Sequence, residues 1–274
     1  MKRARNALLA IGALLALAGR GSAQDFVPAA PAGPAAGPCS FLERGLPPVA
    51  AGPALDASYT RWFGLPELET RAVACGAGWR LARMAAGCSQ TGEPDLGWNA
   101  FGLACGMARA EGGAGLRAVA RRDRAIEPGS AAAARLEARA GVEVGWGAWL
   151  EAARGLRLWT AVPQSWTQGA APPLERPLEI GAVYEGAEAA GHEGFLLWLT
   201  RSAPAGEASA DHAAGAALRS GPLLAWGAVR DRPLRGGFGL SATAGRLLVA
   251  AEVESHPDLG ETVRIALGLA GVRR

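Results

Sequence analysis

Histidine, the side chain best suited to general-base catalysis near neutral pH, occurs at three positions, His192, His212 and His256. His212 has an acid and a nucleophile close by in sequence, since Asp211 precedes it and Ser209 lies upstream. A serine hydrolase needs such a set. The sequence has no G-x-S-x-G nucleophile elbow, no H-E-x-x-H zinc motif and no phosphate-binding glycine loop. We therefore expect no enzymatic activity and no catalytic residues.

His256 is predicted to lie in a turn, because Pro257 follows it and Asp258 is suited to capping the bend. The four cysteines, Cys39, Cys75, Cys88 and Cys105, do not match the C-x-x-C spacing of metal or redox sites. We expect no metal and no cofactor. The last three cysteines fall on apolar faces of predicted strands, where a thiol acts as a small hydrophobic side chain; a structural disulfide is the alternative.

The elements that carry these residues are predicted to be strands. Fourteen segments between Ala57 and Leu269 alternate apolar and polar residues with a period of two. Their connections alternate between short turns, such as Gly245-Arg246, and longer loops, such as Asp123–Ala140, as in an up-and-down barrel. We predict an all-β fold, an antiparallel up-and-down transmembrane β-barrel of about 14 strands, with 12 strands as the alternative count. A soluble periplasmic β-sandwich is the remote alternative.

The polar faces of these strands favour a barrel over a sandwich. They consist of small residues interrupted by charges, which suits a confined and hydrated interior. Most of the nine tryptophans lie near predicted strand ends, which favours an aromatic girdle at the membrane surface over core positions. The candidate residues facing the lumen are Arg83, Arg117, Arg121, Glu143, Arg157, Glu179, Glu252, Glu254 and Arg264.

The last hairpin permits a prediction of strand register. A loop of residues His256–Gly260 would place all apolar pairs on one side of the hairpin and an opposite-charge pair on the other. The predicted pairs are Ser255 with Glu261, Val253 with Val263, Ala251 with Ile265, and Glu252 with Arg264.

The N-terminus is typical of a secretory signal peptide, because basic residues precede the apolar run Ala7–Ala18 and small residues end at Ala23. We predict a leader over residues 1–23, cleaved after Ala23. This leader holds four of the 28 basic residues, so the mature chain has 24 against 25 acidic residues and no nucleic-acid partner is expected. A Pro/Ala/Gly-rich N-terminal extension over residues 24–55 is expected to be extended. The barrel follows over residues 56–270, with a tail over 271–274.

The C-terminal third also resembles a known family. Gly237-Phe238-Gly239-Leu240, followed by a strand, the turn Ser255–Thr262 and a last strand, resembles the 14-stranded bacterial outer-membrane barrels of the PorV and FadL-like group. The segment Leu174–Tyr184 is similar to a mid-barrel hairpin of these proteins. The resemblance implies a bacterial outer-membrane location. Within this group, hydrocarbon transporters carry an N-terminal plug and a lateral opening, and PorV-like members serve protein secretion.

Two functions follow as hypotheses. The first is an outer-membrane pore or transporter for a small solute, which the charged inward positions favour over hydrocarbon uptake. The second is a non-conducting barrel that anchors or binds a secretion-associated protein. Expected partners are the lipid of the outer membrane and the machinery that assembles outer-membrane barrels, with secretion or envelope proteins as further candidates.

Overall fold

The computed structural model describes residues 37–50, 52–92, 96–125, 140–169, 178–186, 193–203, 211–231 and 234–270. They form one closed antiparallel barrel of 14 strands. The strands are β1 (Ala54–Arg61), β2 (Glu69–Trp79), β3 (Ala82–Gly92), β4 (Leu96–Ala108), β5 (Gly112–Ala125), β6 (Ala140–Ala153), β7 (Leu156–Gly169), β8 (Leu178–Glu185), β9 (Glu193–Ala203), β10 (Asp211–Ser220), β11 (Leu223–Asp231), β12 (Leu234–Ala244), β13 (Leu247–His256) and β14 (Gly260–Ala270).

The predicted fold class is confirmed, and the sandwich and the count of 12 strands are wrong. Each strand pairs with its neighbours in sequence, and β1 pairs with β14 from Ala54↔Ala270 to Arg61↔Val263. The sheet therefore has no open edge, and every strand finds backbone hydrogen-bond partners on both sides.

The predicted register of the last hairpin is confirmed at all four pairs. Glu252 and Arg264 face each other across β13 and β14, and their side chains form an ion pair at 3.0 Å. The apolar partners Val253 and Val263 lie on the opposite face of the same hairpin.

Strand β7 is longer than the sequence predicts, because it continues past Pro163 to Gly169. The pairing of β6 with β7 shifts register between Val144 and Trp146, which leaves Pro163 at a bulge. A proline is tolerated there, since no ladder partner requires its missing N–H.

The two ends of the barrel differ. Ala54 and Ala270 lie at one end, together with tight connections such as Arg80-Leu81 and Gly245-Arg246. We call this the turn end, and the opposite end, which bears the longer connections, the loop end. Among the described residues, no helix is long and apolar enough to cross a membrane.

The two faces of the barrel wall also differ, as the alternation predicts. Outward residues such as Leu103, Leu116 and Phe238 are more than half exposed, whereas inward residues such as Ala104 and Ala217 are buried. Cys75, Cys88 and Cys105 are free thiols and lie exposed on the outward apolar face. This placement agrees with their expected role as small hydrophobic side chains.

The tryptophans do not form the girdle that their positions suggested. Trp79, Trp146 and Trp166 face outward, but four others face the lumen and are 7% exposed or less. Each of these four lies over a glycine directly opposite it on the neighbouring strand. The pairs are Trp149 with Gly113, Trp159 with Gly181, Trp198 with Gly215, and Trp226 with Gly239.

This arrangement predicts that replacing Gly239 by alanine destabilises the barrel. A Cβ atom at Gly239 would lie 2.3 Å from Cζ2 of Trp226, so the ring must move. We expect a loss of about 1–3 kcal/mol in the free energy of unfolding. Urea unfolding of the refolded protein in detergent, followed by the heat-dependent shift in gel mobility, measures it. Gly236→Ala is the matched control, because Gly236 is on the same strand with no atom within 4 Å of its Cβ position. Equal unfolding midpoints for the two variants would contradict the packing described.

Candidate functional site

A segment of the chain N-terminal to the barrel lies inside the lumen. Residues Gly37–Arg44 form helix α1, and its residues from Pro38 onward are buried. Helix α1 contacts all the strands from β1 to β7. We call Gly37–Ala50 the plug. The expectation of an extended conformation is therefore wrong for Gly37–Arg44, and for the residues before Gly37 it lies outside the described part of the chain.

Both ends of α1 have satisfied backbone groups. At its N-terminus, the backbone N–H of Cys39 donates a hydrogen bond of 3.0 Å to Oδ2 of Asp56 on β1. This carboxylate also complements the partial positive charge of the helix N-terminus. At its C-terminus, Gly45 has φ of 71° and donates its N–H to the carbonyl of Phe41 at 2.8 Å. A left-handed glycine is the usual way to end a helix.

An ion pair attaches the C-terminal end of α1 to the barrel wall. Nε of Arg44 lies 2.7 Å from Oε2 of Glu179 on β8, and its guanidinium lies 5.7 Å from the ring centroid of Trp159. Because β1 and β8 are seven strands apart in a ring of 14, the contacts of α1 with Asp56 and Glu179 connect opposite parts of the wall.

The apolar side of α1 fits the wall because small residues line it. Added Cβ atoms at Gly87 and Gly115 would lie 2.7 Å from Leu42 and 2.6 Å from Phe41. The space is therefore created by the absence of side chains on the wall. The cluster around α1 comprises Cys39, Phe41, Leu42, Ala72, Ala74, Ala85, Ala100, Ala104 and Val119.

Side chains of the wall hold the rest of the plug through its carbonyl groups. Arg83 donates from Nε to the carbonyl of Pro48 at 3.0 Å and from Nη2 to that of Val49 at 2.8 Å. Trp149 donates from Nε1 to the carbonyl of Pro47 at 3.0 Å. These bonds satisfy backbone groups that prolines and burial would otherwise leave without partners.

The nine residues proposed to face the lumen all lie on inward positions of their strands. Arg83 and Glu179 contact the plug, as described above. Arg117 on β5 pairs with Glu143 on β6 and donates to the carbonyl of Pro163 at 2.6 Å. Arg117 is 1% exposed, so this pair is buried in the lumen.

Two more of the nine lie toward the two ends of the barrel. Arg157 lies 3.6 Å from Glu185 near the turn end. Arg121, toward the loop end, has its guanidinium 5.7 Å from the ring centroid of Trp98. The remaining three, Glu252, Glu254 and Arg264, belong to a larger group on the other side of the lumen.

This group, the loop-end charge network, joins inward residues of β10 to β14. Arg235 bridges Asp211 at 3.3 Å and Glu254 at 3.2 Å. Arg230 also reaches Asp211, at 3.4 Å. Arg264 extends this series of ion pairs, because it lies 3.6 Å from Glu254 and also pairs with Glu252. Its members are Asp211, Arg230, Arg235, Glu252, Glu254 and Arg264.

Sequence reasoning missed four charged residues of the barrel wall that contact the plug or belong to the network: Asp56, Asp211, Arg230 and Arg235. Three of them lie just outside the predicted strands, since pairing extends further toward both ends than the alternation alone showed. Extending the alternation by one or two residues would have placed them inward. Arg230 lay inside a predicted strand on its inward face, so its position was readable from the sequence.

The lumen toward the turn end is filled by apolar side chains on the side opposite α1. Trp198 and Trp226 pack with Val183, Ala250 and Ala266 in one cluster of inward side chains. The described lumen therefore has an apolar, plugged region toward the turn end and a charged region toward the loop end.

Asp211 and His212 do not face each other. Asp211 points inward and His212 points outward, because adjacent strand residues face opposite sides. Nδ1 of His212 instead lies 2.8 Å from Oδ2 of Asp231. Ser209 and His192 lie outside the described residues. Within the described part of the chain, no group of three or more acidic, histidine or cysteine side chains could hold a metal ion.

The last histidine caps its own turn, and the assignment of the cap to Asp258 is wrong. Nδ1 of His256 accepts hydrogen bonds of 3.2 Å from the backbone N–H groups of Asp258 and Leu259. The ring nitrogen thus plays the part expected of a carboxylate in such a turn.

Cys39 provides a test of how firmly the plug is held. It is 1% exposed, and burial raises the pKa of its thiol, with the Asp56 and Glu43 carboxylates raising it further. A protonated, buried thiol reacts slowly. In a chain with Cys75, Cys88 and Cys105 replaced by alanine, we expect Glu179→Gln to speed the labelling of Cys39 by an impermeant maleimide about tenfold, equivalent to about 1.4 kcal/mol.

The matched control for this measurement is Glu252→Gln, which removes a lumen carboxylate without touching the plug. It should leave the labelling rate unchanged. If Cys39 is labelled at the parental rate in both the Glu179→Gln and the Glu252→Gln variant, the ion pair between Arg44 and Glu179 does not hold the plug.

No protein-family model and no curated protein matches the sequence. Solved structures match the fold. The outer membrane protein Omp33 of Acinetobacter baumannii superposes with a TM-score of 0.52 and 6% identity, covering 81% of this chain and 99% of that one. The KdgM porin has a TM-score of 0.43 and 5% identity over 80% of this chain and 99% of its own. A triple mutant of the Rhodopseudomonas blastica porin has a TM-score of 0.42 and 10% identity, covering 80% of this chain and 99% of that one. At such identities, the likeness to Omp33 shows that the two chains share a barrel fold.

Proposed function

We propose that this chain is an integral outer-membrane barrel whose lumen forms a pore for a small polar solute and whose plug restricts that pore. The proposal begins with the outer surface. Outward side chains such as Phe101, Leu240 and Leu267 are about half or more exposed. A continuous apolar surface of this kind is unfavourable in water and favourable against acyl chains. The fold shared with an outer membrane protein supports the same location.

The ends of the barrel suggest its orientation. Barrels of the bacterial outer membrane have short turns on the periplasmic side and longer loops outside. The turn end, with Ala54 and Ala270, would then face the periplasm. An N-terminal signal peptide would deliver the chain to this compartment.

The loop-end charge network is the observation that best supports the pore hypothesis. Its six side chains hold three positive and three negative charges on the inward face. Charged groups are costly in a dry interior, so their concentration there favours a hydrated vestibule. A polar vestibule suits ions and small hydrophilic solutes better than hydrocarbons. Membership of the PorV and FadL-like group stays a hypothesis, to which the lumenal plug adds support.

A non-conducting scaffold is the second candidate. The observation that favours it is the filled lumen toward the turn end, where α1 occupies one side and Trp198 and Trp226 occupy the other. A barrel that only anchors a partner has no need of an open path. The two candidates differ in whether removal of the plug creates a conducting pathway.

Deleting the plug tests this difference. We expect the mature protein to give small or rare conductance steps in planar bilayers, and a variant lacking residues 24–50 to give steps several-fold larger. The reason is that the deletion empties the space between β1 and β8 while leaving every strand of the barrel in place. A variant lacking only residues 24–36 is the matched control and should behave like the parent, since it keeps α1. If all three proteins insert but none conducts, the scaffold is the better account.

A second variant tests whether the charge network lines the conducting path. Asp211→Asn leaves the network with one excess positive charge, so we expect a shift toward anion selectivity in the variant lacking residues 24–50. The measurement is the reversal potential under a salt gradient. Asp231→Asn is the control, because Asp231 pairs with the outward residue His212. Equal shifts in both variants would mean that surface charge, and not the vestibule, sets the selectivity.

A further inference from the structure

The outward face of the barrel carries an apolar cavity of about 650 Å³ toward the turn end. We call it the outer groove. Its floor consists of the small outward side chains Cys75, Ala77, Ala86 and Ala118 on β2, β3 and β5. Its long outward side chains are Met84, Leu103 and Leu116, of which Met84 and Leu103 are 66% and 65% exposed.

The strand register explains the shape of this groove. Ala86 lies directly opposite Cys75 on one side and Leu103 on the other, and Ala118 lies opposite Leu103. Short side chains on neighbouring strands thus leave a depression that the long side chains border. The lining is almost entirely apolar, so a hydrocarbon chain is the chemistry that it fits.

The periplasmic edge of the groove has a different character. Trp79 ends β2 and is 74% exposed, and Arg80 in the following turn places its guanidinium 5.0 Å from the Trp79 ring centroid. Arg109 follows β4 at the same edge, and Glu111 is the acidic residue of that turn. A tryptophan and arginines are the side chains expected at the level of lipid headgroups.

The distance between the groove and the arginines matches the distance between the acyl chains and the phosphate of a lipid in one leaflet. Arg80 is five residues beyond Cys75, which corresponds to about 16 Å along the strand direction. A tilt of about 40° reduces this to about 12 Å along the membrane normal, close to the half-thickness of the hydrocarbon core of about 15 Å. The groove would then lie at acyl-chain depth and the arginines at phosphate depth.

We propose that the outer groove binds one phosphoglyceride of the periplasmic leaflet, with an acyl chain over Cys75 and Ala86 and the phosphate between Arg80 and Arg109. This inference rests on the proposed membrane location. The complementary charge of the arginines and the phosphate selects a phospholipid over an apolar protein surface. The site would place an ordered lipid beside the wall that holds α1. Ala85 and Ala104 belong to the cluster around α1, and each is the inward neighbour of a groove residue along its strand.

Photolabelling in vesicles tests the site. The mature protein is refolded into vesicles of phosphatidylethanolamine and phosphatidylglycerol containing a trace of phosphatidylethanolamine with a diazirine in its acyl chain. After irradiation, mass spectrometry locates the label. We expect labelling on the peptides of Cys75, Met84 and Leu103 to exceed that on outward positions of β10 and β13, such as Leu218 and Val249, about tenfold.

Two sets of variants sharpen the result. Ala86→Phe fills the groove and should reduce the excess labelling to the level of the other outward positions, whereas Ala216→Phe, outward on β10, should not. Replacing Arg80 and Arg109 by alanine should lower labelling by the phospholipid probe but not by a diazirine-bearing alkane, which has no phosphate.

The outcomes separate the two proposals. Uniform labelling around an inserted, heat-modifiable barrel overturns the lipid site and leaves the membrane location intact. Crosslinks between two protein chains through the groove overturn it in favour of a second copy. Failure of the protein to enter vesicles overturns both the lipid site and the membrane location.

Discussion

The pairing of β1 with β14 is the constraint on which the other features of this molecule depend. These two strands are the most distant in sequence, and eight residue pairs join them. Without this pairing, two rows of backbone N–H and C=O groups would be orphaned, at several kcal/mol for each group in hydrocarbon. Closure also fixes which face of each strand points inward, because a shift of one residue would turn every side chain to the other side. The positions of the plug contacts, the charge network and the outer groove all follow from that parity.

A closed barrel of 14 strands creates an interior that small inward side chains cannot fill by themselves. This chain fills it in two ways. Around β1 to β7, glycine and alanine line the wall and α1 supplies the missing side chains, Phe41 and Leu42 among them. Around β8 to β14, tryptophans such as Trp198 and Trp226 cover glycines on the next strand. Both solutions depend on glycine opposite a large group, so the glycines at these positions are a packing requirement and not a sign of flexibility.

The sequence predicted the strands well because alternation is a local property. It can be read within one strand, whichever strands pair with it. The sequence predicted the register of the last hairpin because loop length and charge pairing agreed on one solution. The plug was missed for a physical reason. The segment Gly37–Arg44 has few strong helix formers, and its helix is stabilised by contacts with Asp56 on β1 and Glu179 on β8, far apart in sequence. The inward tryptophans were missed because proximity to a strand end says nothing about which face a side chain occupies.

The closure of the barrel and the seating of the plug depend on different interactions, so one can change without the other. Closure rests on backbone hydrogen bonds, whereas the plug is held by a few side chains, chiefly Asp56, Arg83 and Glu179. Each of these side chains contacts the plug from the barrel wall, and none supplies a backbone bond between strands. Displacement of the plug would therefore cost the energy of those contacts and the burial of α1, but no strand pairing. A barrel that keeps its fold while its lumen is emptied is what the proposed pore, restricted by its own N-terminal segment, requires.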